Sequence, residues 1–212
     1  MPAIAGLGPA ATGLAMSGLA VLGLATVELL ARAAVRARTA ALIADVLAPS
    51  DDLVVTVPVL PLLPSLLRRR VPIVLARCDR AILPGVEMEE VRLSFVGLVI
   101  GVRLDVVAGT GLLVARVPAA EVLRRAGVRG SLEIGDGAVT VRWPRTGFAG
   151  MPRVGVRLRP TLAGDRIRLL PTPLSMSLPP LPAGTTLVTV EAGDNALVVT
   201  ARLELPTLLN TR

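Results

Sequence analysis

Polarity divides the chain at Glu28. From Met1 to Val27 no residue carries a charge, while from Glu28 onward charged positions recur every few residues. An uncharged stretch of this length, if helical, matches the hydrocarbon layer of a bilayer, at about 1.5 Å per residue and about 30 Å of core. The pattern predicts a transmembrane or signal-anchor segment over 1–27 and one folded domain over 28–212, with the first helix starting near Thr12, beyond Pro2, Pro9 and the early glycines. No basic residue precedes the run, whereas Arg32, Arg36 and Arg38 follow it. That order favours a retained anchor over a cleaved signal peptide, and the positive-inside tendency would keep the arginine flank cytoplasmic.

From Glu28 to Leu47 there is no Gly or Pro, and Ala31, Val35, Thr39, Leu42 and Val46 fall on one helical stripe beside Arg32 and Arg36. Pro49, Ser50, Asp51 and Asp52 end this helix. Beyond it the period changes from 3.6 to 2. Alternating runs cover 53–59, 71–78, 91–102, 112–117, 131–134, 138–143, 153–159, 166–170, 185–190 and 197–203, with a short helix begun by Pro118. In the third run Val91, Leu93, Phe95, Gly97 and Val99 share one face; the other begins polar at Glu90, Arg92 and Ser94 and turns apolar at Val96, Leu98 and Ile100. That pattern predicts a strand covered on both sides at one end. Gly135-Asp136-Gly137 is a strong hairpin signal, and successive hairpins predict an antiparallel meander rather than βαβ units. The prolines between 171 and 182 predict an extended linker carrying Leu174, Met176, Leu178 and Leu181.

Composition narrows the chemistry. The chain has no His, so Ser-His and Cys-His nucleophile pairs are excluded and the usual general base is missing. One cysteine, Cys78, rules out an internal disulfide, and a zinc site lacks ligands. Cys78 lies in a strand-like run and reads as a buried structural thiol, although Arg77 and Arg80 beside it would favour a thiolate if they faced it. Asp136, Asp165 and Asp194 sit in Gly-containing turns, where Asp serves the backbone. No enzyme activity, cofactor or metal is expected. The net charge of +7 is carried entirely by Arg and suits an anionic surface. Nucleic acid is the weaker reading of that charge, because aromatic stacking platforms are nearly absent.

The segment Leu60-Pro-Leu-Leu-Pro-Ser-Leu-Leu-Arg-Arg-Arg70, followed by the strand from Val71 to Cys78, resembles the LmeA-like phospholipid-binding family of envelope proteins from high-GC Gram-positive bacteria. Three later pieces agree in order: Val114 to Leu123, Arg166 to Pro171, and Leu178 to Gly184 with Leu187 to Thr200. Leu60 and Leu62 stand where the first motif usually carries aromatics. The resemblance implies an α+β fold, a curved antiparallel sheet wrapped around a long N-terminal helix as in tubular lipid-binding folds. It also implies non-catalytic binding of anionic phospholipid, a membrane or cell-envelope location and an extracytoplasmic domain. Parity then selects Leu42, Val46, Leu93, Phe95, Val141, Trp143, Val154 and Val156 as lining an acyl-chain groove, and Arg68, Arg69 and Arg70, clustered beside a Pro/Leu loop, are the expected headgroup ligands. The rival reading is a membrane-anchored adaptor with a filled core, bound to an envelope protein.

Overall fold

The computed structural model describes residues 9–58, 61–83, 85–101, 106–127, 130–142, 155–164, 166–172, 175–177 and 184–205, without the side chains of residues 9–20 and 46. Helix α1 runs unbroken over Pro9–Leu47. It is followed by β1 (Val54–Thr56), α2 (Leu62–Leu67), β2 (Arg70–Leu83), β3 (Val86–Ile100), β4 (Val106–Pro118), α3 (Ala119–Ala126), β5 (Ser131–Gly135) and β6 (Ala138–Arg142). The chain then forms β7 (Gly155–Ala163), β8 (Arg166–Leu170), β9 (Ser175–Ser177), β10 (Thr185–Ala192) and β11 (Ala196–Glu204).

The class is α+β and every strand pairing is antiparallel, as the periodicity predicts. The strands form two sheets rather than one meander: a six-stranded sheet ordered β1-β2-β3-β4-β11-β10 and a five-stranded sheet ordered β5-β6-β7-β8-β9. The terminal hairpin returns to pair β11 with β4, and β10 lies against β7 of the second sheet. The β5–β6 turn is the one the sequence announces, with Asp136 at φ 51° and Gly137 at φ 69°, both in the left-handed region that a two-residue hairpin turn requires.

Over 9–27 the segment expected as an anchor is helical and runs without a break into the helix that follows, so residues 9–47 form one helix. Among the described residues no helix is long and apolar enough to cross a membrane. From Val21 onward α1 soon meets Glu28, Arg32, Arg36 and Arg38, so a spanning length there includes several charges. Two short elements escape the sequence reading. Pro61 and Pro64 disguise α2, since Pro is tolerated in a first turn where the N–H has no helical partner anyway. The strand β9 sits inside the proline-rich linker, where Met176 is buried in the core; Leu174, Leu178 and Leu181 lie outside the described residues.

The face reading of β3 holds for Val91, Leu93 and Phe95, all buried, but fails beyond Gly97. Gly97 adopts φ 64° at a β-bulge against β4, and the extra residue reverses parity. Leu98 and Ile100 therefore point into the core and Val96 is exposed. The strand is not covered on both sides. It changes sides.

The core lies between the second half of α1 and the inner face of the six-stranded sheet, and continues into the second sheet through Val139, Leu158, Ile167 and Leu169. Val35, Thr39, Ile43 and Leu47 of α1 are each 1–2% exposed, an i, i+4 series that extends the predicted stripe. Among the described residues Phe95 is the one aromatic in this core, and its ring takes the space above Gly111, its partner across β3 and β4. A Cβ on Gly111 would stand 2.7 Å from two ring carbons of Phe95 and 3.4 Å from Leu203. Gly111→Ala is therefore expected to cost about 1–3 kcal/mol through overpacking, measured as a lower urea midpoint with an unchanged slope. A midpoint equal to that of the unsubstituted chain would refute this account of Gly111.

Candidate functional site

From Val21 to Leu30 the apolar side chains of α1 stand clear of the domain. Val21, Leu22, Leu24, Val27, Leu29 and Leu30 are between 51% and 68% exposed. At 3.6 residues per turn these six side chains point to every side of the helix. A helix lying on a domain shows a single apolar stripe, whereas one that is apolar all round belongs in apolar surroundings. Five residues beyond Leu30, at Val35, α1 enters the core, so the exposed and buried halves meet around Glu28.

Glu28 fixes that junction. Helix α2 begins with backbone N–H groups that have no partner inside the helix, and Pro61 at its cap offers no side-chain acceptor. Glu28 supplies one from α1. Its carboxylate accepts from the backbone N–H of Leu62 at 2.5 Å and of Leu63 at 3.0 Å, and from Nε of Arg32 at 3.0 Å. The bond from Leu62 above all, with that from Leu63 and the Arg32 guanidinium, outweighs partial desolvation and holds the carboxyl below its usual range. Leu62 is buried under the clamp while Leu67, one turn later, is 86% exposed.

Arg68, Arg69 and Arg70 follow α2 directly. All three are exposed, and Arg69 adopts φ 52° as the chain turns into β2, where its carbonyl accepts from Ile100 N at 2.9 Å. Six helical residues span about 9 Å, so the triplet lies close to the Glu28 junction. Among the described residues Arg36, Arg38, Arg68, Arg69 and Arg70 make no ion pair. Exposed arginines without an ion pair among the described residues thus lie on α1 beyond Glu28 and directly after α2.

The expected groove residues divide. Leu42, Leu93 and Phe95 do come together, with Ile43, Leu47 and Leu203, around an apolar cavity of about 20 Å³ between α1 and the sheet. That volume is near the minimum for one water and far below an acyl chain. Val141 and Val156 are cross-strand partners in β6 and β7, so they belong to the other sheet. Trp143, Val154 and the Val46 side chain lie outside the described residues. Parity finds inward-facing positions but does not tell which sheet a strand joins. Cys78 is buried, and burial first, then Asp79 and Asp51, push its thiol pKa up, while Arg77 and Arg80 face solvent on the opposite side. It is a structural thiol. The sequence reading missed Glu28, though it is the first charge after the uncharged run and has Arg32 one turn on.

Because the Glu28 carboxyl is depressed in the folded state, its contribution is present above the ordinary carboxylate range and lost as pH falls through the lowered folded value. Amide exchange at Leu62 and Leu63, corrected for intrinsic rates, is therefore expected to accelerate as pH falls below the ordinary carboxylate range. In Glu28→Ala it should be fast at every pH, and pH-independent protection in the unsubstituted chain would remove the clamp. The chain matches no family model, no curated protein and no solved structure, so the LmeA-like resemblance stands on its quoted motifs alone.

Proposed function

We propose that this chain is a non-enzymatic, membrane-attached protein that binds anionic phospholipid. One observation carries the reading: an α-helical segment whose exposed apolar side chains Val21, Leu22, Leu24, Val27, Leu29 and Leu30 point to all sides emerges from a domain that carries exposed arginines farther along α1 and directly after α2. Transfer of such a surface into lipid is favourable by about 25 cal/mol per Å², and each arginine held at an anionic surface adds about 1 kcal/mol. The exposed part of α1 enters the lipid, and Arg36, Arg38 and the Arg68–Arg70 triplet meet phosphates at headgroup level. The bulge at Gly97, with Glu90 at φ 47° beside a second irregularity of β3, supports the curved sheet implied by the resemblance. To admit an acyl chain between Leu42 and Phe95, α1 would have to lift, since the space there is nearly filled. A location at the cell membrane or envelope follows from this reading.

The test is flotation of the full chain with vesicles. Vesicles containing phosphatidylglycerol are expected to carry the protein upward more strongly than pure phosphatidylcholine, and added salt should narrow the gap. Leu24→Glu with Leu29→Glu should abolish flotation, whereas Arg68, Arg69 and Arg70 to Gln should weaken it about fivefold per charge. A full chain that stays monomeric in detergent-free buffer and ignores both vesicle types would leave the adaptor reading in place.

A further inference from the structure

A second feature lies on the opposite side of the six-stranded sheet. The face turned away from α1 opens into a concavity of about 1750 Å³, and its floor follows the strand register. One row across the sheet reads Thr56, Leu75, Ser94, Leu112 and the next reads Val54, Arg77, Arg92, Val114. Beyond the first row, Ile73 opposes Val96, both exposed.

Arg77 and Arg92 are thus directly opposite, where Cβ atoms lie about 5 Å apart and like charges are unfavourable. Asp79, two positions along β2, borders the same concavity with Asp51, Asp52 and Arg80, but none of these carboxylates forms an ion pair with Arg77 or Arg92 among the described residues. The carboxylate within reach of Arg92 is that of Glu90, at 4.0 Å, and Glu90 is already bound by Arg116 at 3.0 Å. Arg77 makes no ion pair among the described residues. Two facing guanidinium groups, neither held by a close carboxylate partner of its own, form on this open floor a bidentate receptor for a compact anion.

We infer that the Arg77–Arg92 pair binds the phosphate of a single-chain anionic amphiphile whose tail lies over Leu75, Leu112, Ile73 and Val96. The surroundings set its direction. Asp51, Asp52, Asp79 and Glu90 border the concavity on the other side of the pair and repel a second anionic group, whereas the tail side offers apolar side chains. The same floor disfavours an acidic peptide, because the sheet's backbone groups are engaged in strand pairing and an extended peptide laid across this face would leave its own N–H and C=O groups unpartnered. An alkyl tail has no such requirement. The inference takes its ligand class from the lipid-binding reading but uses a separate surface, so each can fail without the other.

The experiment is a titration of the full chain in phosphatidylcholine nanodiscs, followed by methyl NMR of Leu75 and Leu112. Octyl phosphate is expected to shift both methyl groups saturably. Inorganic phosphate should bind at least about tenfold more weakly for want of a tail, and Arg77→Gln with Arg92→Gln should weaken octyl phosphate by at least about tenfold for each lost charged hydrogen bond. The double variant removes a like-charge contact from an exposed surface, so its melting temperature should match or exceed that of the parent, and its flotation with phosphatidylglycerol vesicles should be retained. Leu75→Ser should weaken octyl phosphate but not inorganic phosphate. Equal affinity in the double variant, equal binding of inorganic phosphate, or stronger binding of an acidic peptide would each overturn the inference.

Discussion

Close packing of aliphatic side chains between the second half of α1 and the inner face of the six-stranded sheet is the interaction on which the rest of the structure depends. Ile43 and Leu47 come together with Leu93, Leu113 and Leu203 across that layer, with Phe95 as the sole ring among the described core. Branched aliphatic side chains fill space in few rotamers, so a core built almost entirely from them has little tolerance for added volume. Only a bare backbone at Gly111 makes room for Phe95. The cavity of about 20 Å³ beside the ring shows how completely the layer is filled.

Around that layer, contacts between carboxylates and arginines join elements distant in the chain. Glu121, buried on α3, is pushed up by burial, but hydrogen bonds from Arg124 and Arg125 more than offset this and leave it lowered. The same two guanidinium groups donate to the carbonyl of Gly85, joining α3 to the β2–β3 turn. Arg116 donates to Glu90 and to the carbonyl of Asp194, joining β3, β4 and the β10–β11 turn. Glu28 does the same for α1 and α2. A chain with arginine as its sole basic residue has planar five-donor groups that can bridge two acceptors at once, and these joints use that capacity.

Much of this was legible from residue order. Alternation found most strands, Asp136-Gly137 found its hairpin, and the i, i+4 spacing from Ala31 to Leu42 found the buried side of α1. What was not legible shares a cause. Gly97 reverses the parity of β3 through backbone conformation alone, Val141 and Val156 pack inward in a sheet whose identity depends on long-range pairing, and α2 is stabilised by a carboxylate 34 residues away. Of the headgroup candidates the Arg68–Arg70 triplet was visible as a charge run. The Arg77–Arg92 pair was not, because its two members meet only in the register of β2 and β3.

The continuity of α1 has a mechanical meaning. The last glycine in the helix is Gly23 and no proline follows until Pro49, so the stretch that contacts solvent and the stretch that seals the core turn as one stiff lever. Glu28, pinned to α2, is its fulcrum, with an uninterrupted outer arm of about 8 Å back to Gly23 and an inner arm of about 28 Å to Leu47 at 1.5 Å per residue. A tilt imposed on the outer arm is therefore delivered, undamped by any flexible joint, to Ile43 and Leu47 over the cavity beside Phe95.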